Sequence, residues 1–119
     1  MPHSYNSVAA TMSVDHVVLF KWKDDAPAET IQEFARAVVA LKDKVPGILD
    51  LSFGEDFSKT SRAQGFTHML IVRMENKDTV PFYDAHPEHQ KVVALIRPIM
   101  DKNISLNIES PRHMPIHNA

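Results

Sequence analysis

The chain has no cysteine, which excludes disulfides, thiolate nucleophiles and thiolate metal ligands together. It also has no excess of positive charge. Lys and Arg number 13 against 15 Asp and Glu, a net charge of −2, so there is no basic footprint for nucleic acid. No apolar run approaches the roughly 20 residues of a bilayer span, so no membrane partner is expected. The opening "MPHSYNSVAATMS" lacks the basic and apolar segments of a secretory signal, and a cytoplasmic protein is the expectation. That opening and the closing "SPRHMPIHNA" carry no apolar period, so residues 1–12 and 111–119 are expected to be flexible extensions.

What is present suits one globular domain over residues 13–110. The 119 residues are 44% apolar and 24% charged, enough for a single core. "DHVVLFKW" (Asp15–Trp22) is β-branched and aromatic and reads as a strand. Asp24, Asp25 and Pro27 then supply helix-start chemistry, and Ile31, Phe34, Val38, Leu41 and Val45 follow at helical spacing. Pro46-Gly47 stops that helix. "ILDLSFGEDF" (Ile48–Phe57) reads as a second strand, with Leu49, Leu51 and Phe53 on one face. "THMLIVRME" (Thr67–Glu75) reads as a third. Asp78 is placed to cap a short helix through Ala85. His86-Pro87 begins a longer one that Pro98 should bend. "NISLNIES" (Asn103–Ser110) is the fourth strand, with Ile104, Leu106 and Ile108 on one face.

The order β-α-β-β-α-α-β is the ferredoxin-like α+β pattern, in which the first and third strands are expected to be parallel neighbours. Both have two apolar faces. Val18, Phe20 and Trp22 oppose Val17 and Leu19; Leu70, Val72 and Met74 oppose Met69 and Ile71. Helices cover one face of such a sheet, so the other needs a second cover. The economical one is the same sheet of another copy, giving a homodimer.

His16 and His68 begin their strands on the Phe20 and Leu70 faces, and parallel strands would open both imidazoles at one end. The stretch "FYDAHPEHQKV" adds Tyr83, His86 and His89. Pro87 fits the first helical position, which makes His86 the N-cap. His89 then lies in the first turn, where the helix dipole keeps imidazole neutral and basic. A neutral base, a phenol and further imidazoles suit proton abstraction next to a carbonyl. The plainer alternative is a cap and a surface histidine.

"DHVVLFKWK", "GFTHMLIV" and "FYDAHPEH" resemble the three signature segments of the stress-responsive dimeric α/β-barrel (Dabb) family, over about Ser13 to Glu109. The resemblance implies a dimeric ferredoxin-like barrel. It also implies a cofactor-free cyclase or lyase-type reaction on an enolisable, polyketide-like small molecule, closed by intramolecular aldol condensation. Carried over by motif, Tyr83 and His89 would be catalytic, and His16, His68 and His86 would line the substrate pocket. Val38 stands at a wall position where a relative carries an aromatic, and Phe53, before Gly54, stands where the family often has Trp, so the substrate need not be shared. The open alternatives are a non-catalytic stress-responsive oligomer, another dimeric-barrel activity such as a cofactor-free oxygenase or isomerase, and a metal site of His16, His68 and His89. The last is disfavoured because no cysteine exists and no carboxylate adjoins these histidines in the chain.

Overall fold

The computed structural model describes residues 12–110. Of the two expected extensions, all but Met12 lies outside the described residues. The elements are β1 (Ser13–Trp22), α1 (Ala28–Ala40), β2 (Ile48–Glu55), β3 (His68–Met74), α2 (Thr79–Ala85), α3 (Pro87–Ile96) and β4 (Met100–Ser110). This is the ferredoxin-like order. The sheet runs β2-β3-β1-β4.

Every neighbouring pair in the sheet is antiparallel, including β1 with β3, where parallel pairing was expected. The reason is topological. The α1 crossover returns the chain so that β2 runs with β1, two places away. The direct β2–β3 connection then reverses β3, which lies between them and runs against both. Phe20 therefore sits opposite His68, and Val14 opposite Met74.

Strand parity holds. Val18, Phe20, Leu70, Val72 and Met74 are buried under the helices with Phe34 and Val38 of α1, Tyr83 of α2, and Val92 and Ile96 of α3. Helix starts differ from expectation. Pro27 is itself the N-cap of α1, and no side chain caps it, so Asp24 and Asp25 do not serve there. Asp78 does not cap α2 by its side chain; instead Asn76 Oδ1 accepts the Thr79 N–H at 3.2 Å. Pro98 ends α3 rather than bending it. The helix stops at Ile96, and β4 begins at Met100, because Pro98 has no N–H to continue the ladder. In β2 a bulge between Ile48 and Asp50 turns Leu49 outward, leaving Leu51 and Phe53 on the core side. Gly47 makes the turn into β2 at φ +95°, where a Cβ would meet Thr79 Cγ2 at 2.6 Å.

Among the described residues nothing covers the second face of the sheet. Leu19 and Val17 on β1 lie beside Ile104 and Leu106 on β4, and Ile71 and Met69 follow on β3. Leu106 and Ile108 are 65% and 59% exposed.

Candidate active site

The stretch around Pro87 builds the site. His86 is extended (φ −64°, ψ 134°), and its Nδ1 accepts the Glu88 N–H at 3.1 Å, with Pro87 as the first helical residue. This is the expected N-cap, and it employs the imidazole: the ring packs edge-on against Phe82 and does not line the cavity described next.

His89 follows within the first turn of α3. Its Nδ1–H donates to the Asp84 carbonyl at 3.0 Å, and Gln90 Nε2 donates to the same oxygen at 2.6 Å. With Nδ1 carrying the proton, Nε2 keeps its lone pair. Burial is the first cause that lowers the His89 pKa; the bond to and charge of Asp84 push the other way. The ring is thus held neutral mainly by desolvation, where the sequence pointed to the helix dipole.

Tyr83 lies against it, ring centroids 4.3 Å apart. At 1% exposure Tyr83 is part of the core. Its hydroxyl is buried with no hydrogen-bond partner among the described residues, and burial pushes its pKa well above the ordinary phenol value. His16 completes the group, 5.7 Å from Tyr83 ring to ring, with Nδ1 2.7 Å from Asn107 Oδ1 on β4.

These side chains surround a cavity of about 190 Å³ between the sheet and the helices. His16, Val38, Tyr83 and His89 all line it, with Phe34 and Val92 as apolar wall; among the described residues no Lys or Arg does. Four of the sequence-predicted residues are therefore brought together.

His68 and Phe53 are placed elsewhere. The antiparallel register sets His68 beside Phe20, four residues along β1 from His16, about 13 Å away at strand rise. There His68 Nδ1 accepts the Trp22 indole N–H at 2.9 Å, and its ring stacks on Phe53 at 5.5 Å. Burial lowers its pKa as well. Both line a wider groove of about 770 Å³ that runs onto the second face of the sheet past Leu19, Met69 and Ile71. His16, His68 and His89 are thus not one cluster, and among the described residues no group of three or more His, Asp or Glu is placed to hold a metal.

Asn107, Asn103 and Ser105 were not singled out from the sequence. A signal was present: if Ile104, Leu106 and Ile108 share one face of β4, the intervening polar residues share the other, and the β1 pairing puts that face beside His16, Val18 and Phe20.

A family model, the stress responsive A/B barrel domain, matches residues 14–110. The chain is 31% identical over 78 residues to olivetolic acid cyclase of Cannabis sativa, covering 66% of this chain and 77% of that protein. It is 35% identical over 97 residues to a stress-response A/B barrel domain-containing protein of Arabidopsis thaliana, covering 81% of this chain and 36% of that longer protein. Among solved structures, a dimeric protein of unknown function with a ferredoxin-like fold from Bacteroides fragilis superposes with a TM-score of 0.73 at 27% identity, covering 82% of this chain and 96% of that one. The chain belongs to the stress responsive A/B barrel domain family.

Proposed function

We propose that this member of the stress responsive A/B barrel domain family is a cofactor-free acid–base enzyme of the cyclase or lyase type, acting on a small enolisable carbonyl compound. The observation that carries the proposal is the Tyr83 hydroxyl, which is buried without a partner among the described residues beside a neutral, partly buried imidazole. A buried unpaired hydroxyl costs about 1–3 kcal/mol. A bound carbonyl oxygen would supply the missing acceptor and give that cost a purpose.

In this reading His89 Nε2 removes a proton from the carbon next to the carbonyl. The Tyr83 O–H donates to the carbonyl oxygen, and that bond strengthens as enolate charge develops in a cavity of low polarity. The enolate carbon then attacks a second carbonyl of the same molecule, forming the new carbon–carbon bond. The resulting alkoxide takes its proton back from the His89 imidazolium. Protons and charge balance without an oxidant or reductant. Similarity to olivetolic acid cyclase supports this type of reaction. The cavity bounds the substrate. An apolar cavity of about 150 Å³ holds benzene, so about 190 Å³ takes a reacting portion of one ring's size.

The proposed assembly is a homodimer closed over the second face of the sheet, supported by its exposed apolar side chains and by the dimeric Bacteroides fragilis structure. A second reading, a non-catalytic stress-responsive oligomer, is favoured by the similarity to the Arabidopsis thaliana stress-response protein. It leaves the Tyr83 hydroxyl without a role.

Exchange of the α-hydrogens of cyclohexanone in D₂O, followed by NMR, separates the two readings. Acceleration by the wild type, and its loss in His89→Ala, is the catalytic outcome. Exchange at the buffer rate for cyclohexanone and for small acyclic diketones leaves the non-catalytic reading.

A further inference from the structure

We infer that Asn107 is a positioning residue that fixes the tautomer of His16, so that two imidazoles protonated at Nδ1, His16 and His89, line the cavity with their rings against that of Tyr83. The starting point is the inverted pattern of β4. Ile104, Leu106 and Ile108 face away from the helices, and the polar residues between them and beside them, Asn103, Ser105 and Asn107, lie level with Phe20, Val18 and His16 of β1. Core packing does not explain that choice, because the β1 residues on the same side are apolar and buried at Val18 and Phe20.

The pair His16–Asn107 explains it at one position. The two residues are register partners, and Asn107 Oδ1 lies 2.7 Å from His16 Nδ1. An amide oxygen only accepts, so Nδ1 carries the proton and donates. His16 is 7% exposed and lines the cavity, and its remaining nitrogen is an acceptor. His89 reaches the same state by a different route, through the Asp84 carbonyl.

The consequence for ligands rests on the acid–base reading; the tautomer does not. Beside the two imidazoles and the Tyr83 phenol the lining holds Asp84, Asn103 and Ser105, with no Lys or Arg among the described residues, so the cavity is matched to a neutral molecule. One carbonyl oxygen of that molecule meets Tyr83, and an acidic C–H or enol O–H is offered to each imidazole. An anionic head group would meet no Lys or Arg among the described residues there.

The test is a two-bond ¹H–¹⁵N NMR spectrum of the histidines, recorded above their titration range and assigned by a His16→Gln variant. Expected is His16 protonated at Nδ1 in the wild type, loss of that single tautomer in Asn107→Leu, and its retention in Asn107→Asp, whose carboxylate also accepts. Asn107 is exposed on an edge strand, so both variants should fold. Cyclohexanone exchange should slow in Asn107→Leu and recover in Asn107→Asp. His16 protonated at Nε2 in the wild type, or an unchanged tautomer in Asn107→Leu, overturns the assignment. If the tautomers behave as expected and the wild type shows no exchange, the acid–base reading falls and the Asn107–His16 assignment stands.

Discussion

At the scale of single residues, Tyr83 and His89 carry opposite costs, and each gives a measurable sign. Tyr83→Phe keeps the buried ring and removes only the unpaired hydroxyl, so it should raise stability by about 1–3 kcal/mol in denaturant titration. A loss of stability would show that the hydroxyl is held by a partner. His89 has its folded pKa depressed below the usual 6.5 by burial. Between 6.5 and that lower value the unfolded chain binds a proton that the folded chain does not, so stability falls as pH drops through this window. The base also stays neutral further into acid than a free histidine. The acid limb of the exchange rate should therefore have its midpoint below 6.5, and a midpoint above that value would contradict a desolvated base. The sequence was only partly informative at this scale. The His86 cap was legible because Pro87 marks the first helical position. The burial of Tyr83 was not, because a helix as short as Thr79–Ala85 shows too little period to name its inner face.

At the scale of elements, the start of α3 holds the site together. His86 caps it, and His89 and Gln90 both tie it back to the Asp84 carbonyl at the end of α2. His86→Ala should cost about 1 kcal/mol through the lost cap, read as a lowered melting temperature. Its effect on exchange should be smaller than that of His89→Ala; an equal collapse of rate with unchanged stability would make His86 part of the chemistry. The strands show what periodicity contains and what it omits. Alternation grouped His16 with Phe20 and Leu70 with Val72 on shared faces, and those are the faces the helices cover. It has no sense of direction, so the antiparallel pairing of β1 with β3, and with it the separation of His68 from His16, came only from the connections. The bulge that turns Leu49 outward is likewise invisible to a strict two-residue period.

At the scale of the whole molecule, the uncovered sheet face makes a prediction that does not depend on catalysis. Leu106 is 65% exposed in one chain. If the chain works alone, Leu106→Lys is an exposed edge-strand change worth within about ±0.5 kcal/mol. If two sheets close face to face, it puts a charge in an apolar interface, and the dimer should dissociate or unfold at micromolar concentration in sedimentation. A wild-type mass of one chain, with Leu106→Lys indistinguishable from it, would remove the dimer. The apolar character of this face was legible from the two-sided strands. The groove past Phe53 and His68 onto that face was not, because it depends on where the β2–β3 connection folds back.

The central claim is that the unpaired Tyr83 hydroxyl and the desolvated His89 are a working acid–base pair. Its most direct test is the rate of α-hydrogen exchange of cyclohexanone, measured side by side for the wild type, His89→Ala and Tyr83→Phe. The wild type should accelerate exchange over buffer. His89→Ala should lose about a hundredfold or more, and Tyr83→Phe should show a large loss despite its unimpaired stability. Exchange as fast in His89→Ala as in the wild type would contradict the claim.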